Sequence, residues 1–164
     1  DIITCAKALT SGYSQLGAVL INSKVSDLFE THPVMCGLTY FGHPLSCTVA
    51  NSCLDLYLEN DSEIIKNVDS KGLLLNKLCS QVAIKYNFIK DYRNNGLLGC
   101  FELDLTEKGL QLLDTELLNS GIYCMRIKNN IFTSPPLIID DILIKETIKK
   151  IDFSMGLFES KYLT

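Results

Sequence analysis

The tripeptide Asn60-Asp61-Ser62 cuts what is otherwise one helical pattern, and that break constrains the chain more than any other feature. Upstream of it, Pro44 suits a first helical turn, and Val49, Cys53 and Tyr57 follow with apolar helical character. Downstream, Ser62 can cap a second helix in which Ile64, Ile65, Val68, Leu75, Leu78 and Val82 are spaced to bury one face. A seam at this point predicts two domains. Residues 1–59 finish one, and residues 60–164 build a compact α+β unit.

The remaining elements follow from local pattern. Ile2, Ile3 and Cys5 form a short apolar run that predicts a buried strand, and Leu16 to Ile21 is a second run of strand length. Asn94-Asn95-Gly96 marks a turn, Leu97 to Leu105 reads as a strand, and Thr106 caps a helix of Leu110, Leu113, Leu117 and Leu118 that Gly121 ends. A hairpin is expected next, with Ile122 to Ile127 and Ile131 to Ser134 flanking Lys128-Asn129-Asn130, before Pro135-Pro136 stops any strand. Asp140 begins the last helix, with Ile142, Ile148, Ile151 and Met155 inward and Lys145, Lys149 and Lys150 in water. Strands and helices in this mixture read as α/β.

Composition excludes several classes of partner. A chain of 164 residues with 47% apolar and 21% charged residues can bury a core and is not of disordered type. Its net charge is −4, and its only arginines are Arg93 and Arg126, so it lacks the basic stripe that nucleic-acid phosphates demand. Its apolar runs fall well short of the roughly 20 residues of a membrane span. The seven cysteines are odd in number, contain no C-x-x-C pair and form no metal-like grouping with the two histidines. They read as free thiols in a reducing compartment, which places the chain in the cytoplasm.

Lys7 carries the chemistry. It follows the first apolar run and precedes a Thr10-Ser11-Gly12 turn, among small neighbours. A lysine with its stem along the surface and its ammonium in water is the commonplace alternative. The whole segment, Asp1-Ile2-Ile3-Thr4-Cys5-Ala6-Lys7-Ala8-Leu9-Thr10-Ser11-Gly12, resembles the second half of the lysine signature of class III pyridoxal-phosphate-dependent aminotransferases. Three further blocks are similar to the family's, in the same order. They are Gly12-Tyr13-Ser14-Gln15-Leu16-Gly17-Ala18-Val19, with Gln15 where proline is usual, Gly37-Leu38-Thr39-Tyr40-Phe41-Gly42-His43-Pro44-Leu45-Ser46-Cys47, and Ser134-Pro135-Pro136-Leu137-Ile138.

This resemblance implies the C-terminal part of a longer fold type I enzyme: the end of a large cofactor-binding domain plus a small α+β C-terminal domain. It also implies pyridoxal 5'-phosphate as cofactor, held as a Schiff base by Lys7 and by a phosphate hydrogen bond from Thr39, the latter typically made across a dimer interface. The parent would be a homodimer. Arg126 stays open between gripping a substrate carboxylate, as the family implies, and being a solvated arginine at a strand end. His43 and Arg93 are read as structural. The expected reaction moves an amino group from an ω-amino acid or amine to a 2-oxo acid such as pyruvate. Decarboxylation, an aminomutase shift and a non-catalytic remnant are the alternatives, and the isolated chain is expected to be largely inactive.

Overall fold

A computed structural model of the chain describes residues 1–163. It contains two compact units, Asp1–Glu63 and Ile64–Thr164. Each is built by different means.

In the first unit, β1 (Ile2–Cys5) pairs antiparallel with β2 (Ala18–Ile21), in a register that sets Ile2 opposite Ile21 and Cys5 opposite Ala18. Between them lies a 3-10 turn at Lys7–Thr10, closed by Ser11 and Gly12 at φ 49° and 81°. Short helices α1 (Ser23–Ser26) and α2 (Leu28–Thr31) follow, the first capped by the Asn22 side chain, which accepts from the Val25 amide. The strand expected to be buried is not. Ile2 and Ile3 keep 58% and 65% of their surface exposed, and Val19 and Leu20 are exposed opposite them. The apolar run marks a strand here but not its covering.

Helix α3 (Pro44–Ala83) begins at Pro44 as the sequence suggests and is interrupted within residues 59–62. Glu59 turns extended, and Asn60, Asp61 and Ser62 all lie in the left-handed region at φ 49°, 57° and 60°. Asn and Asp tolerate that region best among side-chain-bearing residues. Ser62 is therefore not the extended N-cap that its position suggested.

The second unit holds a four-stranded antiparallel sheet in the order β3-β4-β6-β5, formed by β3 (Ile89–Asn95), β4 (Leu98–Leu103), β5 (Arg126–Ile127) and β6 (Asn130–Thr133). Two helices complete it, α4 (Glu107–Asn119) and α5 (Asp141–Tyr162). The expected caps are present. The Thr106 hydroxyl accepts from the Gly109 amide at 3.2 Å, and the Asp140 carboxylate from the Leu143 amide at 2.7 Å. Gly121, at φ 76°, follows the end of α4. The sheet core is continuous with helix faces: Leu75, Cys79 and Val82 from α3 join Tyr92, Phe101, Leu103, Ile131, Leu113, Leu117, Met155 and Phe158 in one buried cluster.

Three expectations change. β3 went unread because its pairing with β4 shifts register between Ile89 and Asp91, which breaks the period-2 signature. The first hairpin strand is only Arg126–Ile127, and Lys128, at φ 53°, turns the chain directly into β6. Leu118 and Ile142 are exposed rather than inward, and Ile144, 1% exposed, takes the inner place on α5. All seven cysteines are free, with Cys53, Cys79 and Cys100 buried.

Candidate active site

The first unit brings Lys7 onto a turn that is tied down from several sides. Lys7 itself has φ 53°, a left-handed conformation that costs a side-chain-bearing residue roughly 1–3 kcal/mol and persists only where neighbours enforce it. Those neighbours can be named. Thr10 is fully buried, and its hydroxyl donates to the Ser14 carbonyl, with the Lys7 carbonyl 3.4 Å away. The Ser14 and Ser46 hydroxyls meet at 2.8 Å, which fastens the segment after the turn to the first turn of α3. From further along α3, the Tyr57 hydroxyl donates to the Ala8 carbonyl at 3.0 Å and lies 2.6 Å from the Ser11 hydroxyl. The backbone of the strained turn is fixed while the Lys7 side chain stays exposed, and no hydrogen bond or ion pair holds its ammonium among the described residues.

Thr39 opens a second turn, in which the Phe41 amide donates to the Leu38 carbonyl and the His43 amide to the Tyr40 carbonyl. Gly42 adopts φ 62° there. The Thr39 side chain is exposed, and its hydroxyl makes no hydrogen bond among the described residues, so it is not spent on its own backbone. His43 packs its ring 5.6 Å from that of Tyr40, with Nδ1 buried and unpaired, directly before the first turn of α3.

Arg126 belongs to the second unit. Its Nε donates to Asp114 at 2.7 Å, its Nη2 to Glu107 at 3.1 Å and its Nη1 to the Lys128 carbonyl at 3.1 Å. Asp114 first and Glu107 second raise the guanidinium's pKa further, while Arg126 holds the Glu107 carboxyl below its ordinary value. The fork thereby joins α4 to the β5–β6 hairpin. It borders a shallow cavity of ≈ 320 Å³ with Asp114, Leu117 and Tyr123, and an incoming carboxylate gripped bidentately has to displace Glu107 or Asp114. Arg93 pairs with Glu102 at 2.8 Å across the β3–β4 ladder and with Asp91 at 3.1 Å along β3.

Tyr57 and Ser46 are contributors that reading along the chain does not single out, and Thr10 reads there only as a turn residue. Tyr57 stood in the sequence as an apolar helical position, and only the return of α3 past the turn reveals its hydroxyl as a tie.

Along the chain, a strand leads into the strained turn that carries Lys7, and a long helix and a small antiparallel α+β unit follow. The chain matches the family model described as Aminotransferase class-III over residues 1–154, and it belongs to that family. Among curated proteins it is 31% identical over 154 residues to a probable gamma-aminobutyrate transaminase 4 of Oryza sativa subsp. japonica, covering 85% of this chain and 32% of that protein. It is 35% identical over 151 residues to the mitochondrial acetylornithine aminotransferase of Saccharomyces cerevisiae, covering 89% and 33%. Among solved structures, a taurine:2-oxoglutarate aminotransferase of Bifidobacterium kashiwanohense in complex with PLP and glutamate superposes with TM-score 0.89 at 26% identity, covering 98% of this chain and 39% of that one. The chain thus spans about a third of the length of the curated relatives it matches.

Proposed function

We propose that this chain works within a longer pyridoxal-phosphate-dependent aminotransferase, moving an amino group from an ω-amino acid or amine to a 2-oxo acid such as pyruvate. Residues 1–59 then belong to the large cofactor-binding domain and 60–164 form the small domain of a cytoplasmic homodimer. The observation that carries the reading is Lys7: an exposed, unpaired amine on a turn held in a strained conformation, inside a chain that matches the family over residues 1–154.

The residues present fit the cofactor at two points, since one offers a free amine for an aldehyde and the other a free hydroxyl for a phosphate. Lys7 is the covalent attachment point, and neutral lysine is the nucleophile that such attachment needs. Bound pyridoxal phosphate would supply an electron sink for the C–H bond that breaks at the substrate's amine-bearing carbon. Lys7 would take the proton from that carbon as a base. Thr39 would donate its hydroxyl to the phosphate. A substrate-carboxylate role for Arg126 belongs to the same proposal and requires Glu107 or Asp114 to give way.

The test is incubation with pyridoxal phosphate and borohydride, followed by intact mass and peptide mapping. An adduct confined to Lys7, and lost in Lys7→Ala, is expected. Unselective labelling would leave a non-catalytic remnant as the better reading. Product analysis with an ω-amino acid and pyruvate separates transamination from decarboxylation and from an aminomutase shift.

A further inference from the structure

We propose that Tyr57 is a positioning residue for Lys7, which holds the turn that aims the amine; the inference rests on the role given to Lys7 above. The hydrogen-bond count fixes the direction of the chain of donors. A tyrosine hydroxyl has one proton, and here it goes to the Ala8 carbonyl at 3.0 Å. The Ser11 hydroxyl, 2.6 Å from the same oxygen, must then be a donor to Tyr57. The Ala8 carbonyl also accepts from the Ser11 amide at 3.1 Å, so one oxygen gathers two donors from both sides of the turn.

Tyr57 thereby clips a residue inside the 3-10 turn to the residue that closes it. Ala8 directly follows Lys7, and Ser11 is the left-handed residue that closes the turn at φ 49°. Two left-handed residues in five, Lys7 and Ser11, relax toward ordinary backbone unless external bonds oppose it. Thr10 opposes it from within the turn, whereas Tyr57 does so from 46 residues beyond Ser11. A lysine that attacks an aldehyde and later moves a proton depends on placement to within fractions of an ångström. Tyr57 touches neither cofactor nor substrate in this scheme. It acts through the Lys7 backbone.

The experiment compares the full natural polypeptide that carries this sequence with its Tyr57→Phe and Ser11→Ala variants, each loaded with pyridoxal phosphate. Three quantities are read: the rate of borohydride-trapped adduct at Lys7 relative to the other lysines, the pH midpoint of the lysine-bound cofactor's absorbance change, and the thermal midpoint. Tyr57→Phe keeps the ring and removes both bonds. It is expected to slow trapping at Lys7 by roughly three- to tenfold, the span of one net hydrogen bond, and to move the pH midpoint while the thermal midpoint stays in place. Ser11→Ala, which leaves the Ala8 bond, is expected to produce the same changes to a smaller extent. Wild-type trapping and an unmoved pH midpoint in Tyr57→Phe overturn the proposal, as do the same results in Ser11→Ala if Tyr57→Phe does not fold. Unselective trapping in the unmutated protein overturns the Lys7 assignment itself, and this inference with it, before any variant is compared.

Discussion

At the scale of single residues, the carboxylates that pair across elements set how the protein answers acid. Glu107 is held low by Arg126, Glu116 by Lys161 and Asp141 by Lys71, each from an ordinary value of 4.5, 4.5 and 3.8 respectively. A carboxyl whose pKa falls on folding binds its proton more weakly in the native state. Its contribution is complete above the ordinary value and is lost as pH falls through the lowered one. Denaturant midpoints are therefore expected to be level above about pH 5 and to drop below it. Replacing Glu107 and Glu116 with Gln and Asp141 with Asn together should flatten that drop, and an acid branch as steep as the parent's would show that these pairs do not govern it.

At the scale of elements, the close approach of α3 to the β3–β4 turn leaves no room for an added side chain. A Cβ at Gly72 would lie 2.7 Å from the Gly96 carbonyl oxygen, and Asn94 Nδ2 donates to both the Gly72 and Gly96 carbonyls in the same place. Gly72→Ala regains about 1 kcal/mol of helix propensity but forces the turn away, which costs roughly 1–3 kcal/mol and strains both Asn94 bonds. A net fall in the urea midpoint is expected. The opposite sign would mean that the turn yields freely. Thr106→Ala removes the cap of α4 and should cost about 1 kcal/mol, with the slope of the urea transition unchanged.

Elements of this kind divide by how local their cause is. Thr106 and Asp140 announce their helices because a cap is a matter of three adjacent residues. Pro44 announces α3 for the same reason. β3 does not announce itself, because its bulge at Ile89/Asp91 is imposed by pairing with β4. The site divides likewise. Lys7 and Thr39 are legible through the motif that surrounds each, whereas the tie from Tyr57 depends on a hydroxyl meeting a turn 46 residues away.

At the scale of the whole molecule, the two units are unequal in what they bury. The continuous core lies entirely in Ile64–Thr164, from Leu75 to Phe158. The first unit contributes only Ala50 and Cys53 to the buried apolar residues and exposes Ile3, Val19, Leu28, Met35, Leu38, Phe41 and Leu58. Exposure on that scale favours association. Sedimentation of the 164-residue chain is expected to give a mass that rises with concentration, and a monodisperse monomer would contradict it. Hydrogen exchange should place the slowest amides in β4, α4 and the middle of α5.

The distribution of thiols turns this inequality into something the molecule can report on itself. Burial pushes Cys79 up to about 12 and Cys124 up to about 11, and Cys100 rises as well, so little thiolate exists at these positions at neutral pH. Cys36 is exposed in the first unit. A thiol reagent therefore meets a graded set of clocks, with Cys36 running from the moment of mixing and Cys79 starting only when the second unit opens. The order in which the seven cysteines become modified is a record of the order in which the chain comes apart, written in covalent mass.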